Sequence, residues 1–528
     1  MTARGARAPI TPQEAREAVQ AVAAAGSIAA AARAVGMTRA AVQRRLRAAD
    51  RYGITPHGEV DATREVVFPV PERGVARYLL SAVQNNTAPH REFWANLLAL
   101  AEETGARVML GRIRYNHTRQ QVAQEKDDGA AQGDLWYAPE FAPYICDERV
   151  RLAPGLMWAG DMNALPTAAN PLSGLDSFTG VDSCIFPHTH LALRSIATAK
   201  PDPVKINYTT GAATLANYIK RKAGLKAEFH HAYSGLMVEV DAAGDWFVRQ
   251  VNADRAGVIH DLDARVEGGR VTRGHRVAVF TPGDIHGERI DQVVAGAVWG
   301  AGGMVDVLRP RAQVLHDVFN MGRRSHHLAL EERLALHFAG RESVESEVEA
   351  TAAELRRMVR PWAETFVVKS NHDEHLDRWV RESDWRADPV NAHFYLAAAL
   401  AKVEAIRDGR EFDLVAWAIA RAGGPPVRFL RRDEPLTIAG IDHAHHGDLG
   451  PNGARGSAAA LARIGRRSTI GHSHGANIVA GCYQVGVSCE LCMGYNRGPS
   501  NWSHTHALTY DNGKRALVTM RGAKWRGE

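Results

Sequence analysis

The chain has 528 residues, 45% of them hydrophobic and 23% charged, with a formal net charge of +5. That is the make-up of an ordinary globular protein, with room for two to four domains at about 100–200 residues each. No apolar run approaches the roughly 20 residues that span a bilayer, and no apolar stretch follows the basic start, so neither a membrane span nor a secretory signal is expected. Five cysteines are too few, and odd in number, for a disulfide scaffold, which points to reduced thiols and a cytoplasmic setting.

The charge is unevenly spread. Residues 1–53 carry nine arginines against Glu14, Glu17 and Asp50, a balance of +6, which leaves −1 for the remaining 475 residues. Phosphate backbones are drawn to such a local positive field.

Taken in chain order, residues 1–53 read as a small all-α module. Thr11-Pro12-Gln13-Glu14 combines an N-cap, a proline at the first helical position and an acid at the third, and the helix it starts runs through Ala25 to Gly26. Ser27 caps a short second helix. Gly36-Met37-Thr38 is a tight turn whose threonine caps a third helix, from Arg39 to about Ala49. This is the pattern of a helix-turn-helix that presents Arg39, Gln43, Arg44 and Arg47 to DNA. The structural alternative is an alanine-rich bundle with a solvated arginine face.

Residues 54–75, with Pro56, Pro69 and Pro71, read as a linker. From 76 to 274 a mixed α/β domain is expected, with a strand at 78–83, a helix at 91–104 and a strand at 106–110. Its Gly160-Asp161-Met162-Asn163 and Pro187-His188-Thr189-His190 imitate metal-site motifs but lack the rest of an ordered series, and we treat them as decoys. Residues 275–528 alternate strands and helices, which implies a layered α/β domain. Within it, 331–360 reads as a helical pair covering the sheet, and the last forty residues as closing strands. Cys489-Glu490-Leu491-Cys492 is a lone CxxC, weak as a zinc signal without a second pair.

The chemistry concentrates in the last segment. Gly283-Asp284-Ile285-His286-Gly287 follows the apolar run 277–280, and Gly471-His472-Ser473-His474 lies far downstream. Between them come Asp317, Asn371-His372-Asp373 and His446, with His443 and His445 as alternatives to the last. Each follows an apolar strand-like run, so the ligands are expected at one sheet edge, where open α/β folds place their sites. Aspartate offers hard anionic oxygen, neutral histidine nitrogen and asparagine a carbonyl oxygen, a set suited to divalent cations.

In this order the residues resemble the calcineurin-like metallophosphoesterases, whose motifs run D-x-H, G-D, G-N-H-D/E, H and G-H-x-H. The resemblance implies a layered β-sandwich flanked by helices and a pair of divalent ions, Mn²⁺ foremost, with Mg²⁺, Fe or Zn²⁺ as alternatives. It implies that Asp284, His286 and His474 hold the first ion, that Asn371, His446 and His472 hold the second, and that Asp317 bridges them. His372 would face the scissile phosphate, with Asp373 orienting it, while a hydroxide bridging the ions attacks phosphorus. Two motifs depart from the pattern: His316-Asp317 and Ser370-Asn371 both lack the usual glycine.

Residues 81–87 (SAVQNNT) and 446–457 (HGDLGPNGARGS) look like the DNA-degrading calcineurin-like nucleases that some tailed phages make early in infection, relatives of SbcD-like exonucleases. That narrower resemblance implies a DNA nuclease working in the host cytoplasm. A phosphomonoesterase or small-nucleotide phosphodiesterase is the first alternative, and a DNA-binding regulator with an inactive phosphoesterase-like domain the second. The sequence sets no oligomeric state, and an oligomer is compatible with it.

Overall fold

The computed structural model describes residues 10–25, 28–51, 54–55, 58–59, 65–115, 136–326 and 328–528. It is a mixed α/β protein of several sheets with helices packed against them. Among the described residues no helix is long and apolar enough to cross a membrane.

The three N-terminal helices form as the sequence suggests, at Pro12–Ala25, Ile28–Ala34 and Arg39–Arg51. Their small core holds Ala15, Val19, Ala32, Val42 and Ala48. Thr11 accepts from the Glu14 amide at 3.3 Å while Glu14 accepts from the Thr11 amide at 2.9 Å, which is the reciprocal capping expected there. Gly26 and Ser27, expected to end the first helix and cap the second, lie outside the described residues, as does most of 54–64.

Among the described residues, sheets of eleven, six, four and three strands build most of the rest, beside a two-stranded ladder of Ile54–Thr55 and Gly58–Glu59. A six-stranded sheet runs Arg428–Phe429, Glu364–Val367, Ala312–Leu315, Val279–Thr281, Thr505–Thr509, Arg515–Thr519. Its first four strands are parallel, and the last two form an antiparallel hairpin against Val279–Thr281. Side chains alternate across it, as the two-residue strand period requires. Phe280 and Leu315 enter the largest core, with Val298, Leu355 and Leu376 from the covering helices. Val279, Val314 and Phe366 pack on the other face with Leu430 and Leu436.

The second large sheet has eleven strands. In order they run Thr437–Ile438, Ile441–Asp442, Ser468–Ile470, Cys482–Gln484, Asn477–Val479, Leu193–Ile196, Lys205–Thr209, Ser183–Phe186, Leu156–Ala159, Arg149–Ala153 and Val66–Val67. The boundary expected at 274/275 therefore does not part the sheets: Asn477–Val479 pairs directly with Leu193–Ile196, with Asn477 opposite Arg194. Val66–Val67, placed by sequence in a linker, pairs in parallel with Arg149–Ala153 as the last strand of this sheet. Trp158, Tyr208, Leu236 and Val248 fill the space toward a four-stranded sheet made of Trp246–Asn252, Ser234–Asp241, Val75–Gln84 and Arg107–Ile113. Helix Arg91–Thr104 covers that sheet's far side through Phe93, Leu97 and Leu100.

The stretch expected to cover a sheet as a helical pair is two helices, Leu330–Phe338 and Val344–Met358. Only the second covers anything, burying Val348, Ala352 and Leu355. The first buries no residue, and its Leu330 and Phe338 are exposed. Its apolar period is helical, but among the described residues it buries no side chain against a sheet.

Candidate metal centre

The site forms where the two large sheets meet, rather than on the edge of one. Asp284 and His286 leave strand Val279–Thr281, Asp317 leaves Ala312–Leu315, and Asn371 opens the helix after Glu364–Val367, all from the six-stranded sheet. His446, His472 and His474 come from loops after Ile441–Asp442 and Ser468–Ile470 of the eleven-stranded sheet. The loops are locked together by backbone bonds. Amides of Ile285, His286 and Gly287 donate to carbonyls of His316, Asp317 and Val318 at 2.7–3.0 Å, and Asp284 exchanges bonds with Gly486 and Ser488.

Four of these residues hold a left-handed backbone: His286 (φ 44°), Asp317 (φ 49°), His472 (φ 75°) and His474 (φ 61°). For non-glycine residues that conformation costs of order 1–3 kcal/mol each and persists only where the surroundings impose it. Here it turns each side chain into the same volume.

Asp284, His286, Asp317 and His474 are all buried, and one ligand atom from each lies within 4.8 Å of every other. His474 Nε2 is 3.2 Å from Asp284 Oδ2 and 3.3 Å from His286 Nε2. His286 Nε2 is 3.7 Å from Asp317 Oδ2. A second group adjoins the first through the same aspartate: His446 Nε2 is 3.3 Å from Asp317 Oδ2. The His446 ring centre lies 5.2 Å from that of His472, whose Nδ1 is 3.2 Å from Asn371 Oδ1. Of the three histidines open for this position, His446 faces Asp317, His445 pairs with Asp442 at 3.6 Å, and His443 is buried away from any hydrogen-bond partner.

The electrostatics are those of two buried carboxylates without a fixed cation. Among the described residues no lysine or arginine lies within 4 Å of Asp284 or Asp317. Burial would raise the Asp317 carboxyl, but His446 and His372 beside it outweigh burial and hold it well below the usual range. Burial likewise opposes, and His474 restores, the lowered position of Asp284. The reciprocal effect lifts two imidazoles: burial disfavours their charge, yet Asp317 brings His446 to about 9 and Asp284 brings His474 to about 9. Burial takes His286 the other way, to about 3.

Several donor atoms here are left over. Asp284 Oδ1, both carboxylate oxygens of Asp317 and His446 Nε2 are buried with no hydrogen bond of acceptable geometry. Buried polar atoms in native proteins are nearly always satisfied, and an ionised carboxylate stripped of water without a partner is costly. The donor set fits a divalent cation, and this buried Asp/His group could hold one.

Asn320, which sits at the spacing of the second motif's trailing polar residue, supports the centre. Its side-chain oxygen accepts from His286 Nδ1 at 3.1 Å, which fixes the tautomer and leaves Nε2 free. Its carbonyl lies 3.3 Å from His372 Nδ1. The orientation expected from Asp373 therefore comes from Asn320. Asp373 instead closes a capping box, accepting from the Ser370 amide at 3.0 Å and donating its own amide to Ser370 Oγ at 3.2 Å. Buried in that role, its carboxyl is pushed up to about 7. Trp502, whose ring centre is 4.2 Å from that of His474, was unannounced, because nothing local in a loop sequence marks it. A cleft of about 620 Å³ opens over the centre, lined by His372, Arg455, Ser457, His472, His474 and Tyr495.

The two motifs set aside as decoys are structural. Asp161 pairs with Arg149 at 2.8 Å, and Asn163 Oδ1 accepts from the Arg114 amide at 2.9 Å. His188 spans the Leu165 carbonyl and the His190 amide. All five cysteines are free thiols; Cys489 is buried and Cys492 exposed, so they form no matched pair.

The fold and site define a mixed α/β protein with a buried Asp/His group suited to a metal ion. The chain belongs to the family of Protein A1 of Escherichia phage T5, to which it is 37% identical over 467 residues, covering 85% of this chain and 82% of that protein. No family model matches the chain, and no solved structure matches it.

Proposed function

We propose that the chain is a metal-dependent phosphodiesterase that hydrolyses DNA, with Asp317 shared between two cation sites. The observation that carries this reading is the position of Asp317, 3.3 Å from His446 on one side and 3.7 Å from His286 on the other, with neither oxygen otherwise engaged. Asp284, His286 and His474 would complete one site, and Asn371, His446 and His472 the other. Two sheets meeting with ligands at their facing ends agree with the layered calcineurin-like arrangement. Bound divalent ions supply charge neutralisation at phosphate oxygens and a nucleophile at neutral pH.

The protein's own groups do the rest. His372, held at Nδ1 by the Asn320 carbonyl, keeps Nε2 turned to other partners, and as the imidazolium it can donate the Nε2 proton to a departing oxygen. Arg455 is exposed at the cleft wall and, among the described residues, has no carboxylate within 4 Å, so it can receive a neighbouring phosphate. The exposed Arg39, Arg44 and Arg47 of the third helix add sequence-independent attraction to the DNA backbone. Gln43 beside them is half-buried, and Arg45 pairs with Glu14 at 2.7 Å, which takes it out of that face.

The test is incubation with Mn²⁺ and either plasmid DNA or p-nitrophenyl phosphate. Cleavage of the plasmid supports the reading. An intact plasmid beside rapid turnover of the small ester would replace it with a phosphomonoesterase, and no turnover of either would favour a DNA-binding regulator.

A further inference from the structure

A second cavity, of about 770 Å³, lies against the eleven-stranded sheet at the opposite end of strand Ser468–Ile470 from the metal centre. Arg467 precedes that strand and His472 follows it, a separation of roughly 15 Å at about 3.3 Å per residue. The cavity is lined by Arg194, Arg466, Arg467, Lys514 and Arg515, and by no aspartate or glutamate.

The cations are poorly compensated. Arg194 has Asp176 at 3.0 Å and Arg466 has Asp442 at 3.9 Å. Among the described residues, no carboxylate lies within 4 Å of Arg467, Lys514 or Arg515. Arg515 is buried and held in place by neutral groups, donating to the Ser468 and Gly481 carbonyls and to Thr469 Oγ1. Its guanidinium lies 4.0 Å over the Tyr483 ring. Burial draws Arg515 down to about 10, and burial followed by the nearby Arg467 lowers Lys514. One further lining group is left over: His190, 6% exposed, has no hydrogen-bond partner at Nε2.

Charge of one sign in a concave site of this size calls for an anion of small-molecule dimensions. More than one phosphate is needed to answer the three cations, Arg467, Lys514 and Arg515, that have no carboxylate within 4 Å among the described residues. The rim carries Phe229, 82% exposed, a flat apolar face suited to stacking on a base. Asn477 lines the same cavity and offers a carboxamide. We propose that this cavity is a binding site for a nucleoside diphosphate, separate from the metal centre, with the phosphates on Arg467, Lys514 and Arg515 and the base against Phe229. The site does not depend on the phosphodiesterase reading.

The test is calorimetric titration of the full-length protein with ADP in EDTA, which keeps divalent ions from the metal centre. The expected result is one site, weakened at least tenfold in the double variant Arg467→Ala/Lys514→Ala and severalfold in Phe229→Ala. Asp317→Ala should bind ADP as the parent does. No binding at millimolar ADP, or an unchanged affinity in the double variant, overturns the proposal. Inorganic pyrophosphate binding as tightly as ADP would overturn the part assigned to the base. Binding of a twelve-residue oligothymidylate without binding of ADP would replace the small ligand by a nucleic-acid strand. Should the double variant not fold, Arg466→Ala/Arg467→Ala changes only exposed side chains and serves the same comparison.

Discussion

The Nε2 atoms of His286 and His474 stand 3.3 Å apart in a buried site. The Nδ1 of His286 is committed to Asn320, so its Nε2 presents a lone pair, and His474 must answer with a proton or share a cation with it. Binding of Mn²⁺ should therefore raise the melting temperature of the EDTA-treated protein. A ligand at a hundred times its Kd stabilises by about 2.7 kcal/mol. Asp317→Ala should abolish the rise in differential scanning calorimetry, and a rise retained in that variant would remove Asp317 from the centre.

The pH dependence follows from the two lifted imidazoles. A histidine whose folded value is raised above the ordinary 6.5, to about 9, stabilises the fold fully below 6.5 and loses that contribution as pH rises through 9. The metal-free protein should accordingly lose stability between pH 6.5 and 9. Mn²⁺ requires the same nitrogens unprotonated, so the metal-induced rise in melting temperature should grow across this window, with protons released on binding. Melting curves with and without Mn²⁺ at pH 6, 7.5 and 9 decide it; parallel curves count against these two histidines.

His372→Ala should lower turnover of plasmid DNA by about 10²–10⁴-fold, the usual worth of a positioned proton donor. The Mn²⁺-induced rise in melting temperature should remain. If the metal response vanishes with the activity, His372 belongs to the metal set instead.

Gly471→Ala tests how tightly the loops close on the carboxylate. A Cβ at residue 471 would overlap Asp284 Oδ1 and sit 3.2 Å from the His316 Cβ. The carboxylate would have to move, and the substitution should remove the Mn²⁺ response although it deletes no donor atom. An unchanged response would show that Asp284 is not a ligand in its present position.

Deleting residues 1–53 should weaken DNA binding at 50 mM salt more than at 200 mM, since exposed arginines act by counter-ion release. Hydrolysis of a small phosphodiester should persist in the same protein. Equal loss of both would make the helical module part of the fold.

The residues that meet at the centre were legible in the sequence because each sits in a short motif behind an apolar run, and local spacing survives folding. What was not legible depends on partners far away. Nothing near 477 announces that its strand pairs with 193–196, so these residues read as one sheet edge when two sheets supply them. Asp373 was misread for a different reason. Ser370-Asn371-His372-Asp373 is both a metal motif and a capping box, and the helix start claims the aspartate. Leu330, Leu334 and Phe338 keep a helical period, yet periodicity alone does not say whether a surface lies opposite.

The pairing of Asn477 with Arg194 has a consequence for how such a chain can change over generations. A crossover anywhere between the two strands would hand each descendant one half of a ladder, with bare amides and carbonyls along the break. The half that carries Asp284 and Asp317 cannot be traded between genes like a cassette. Its history is tied to that of the segment before it, and substitutions at the shared seam must be matched from both sides.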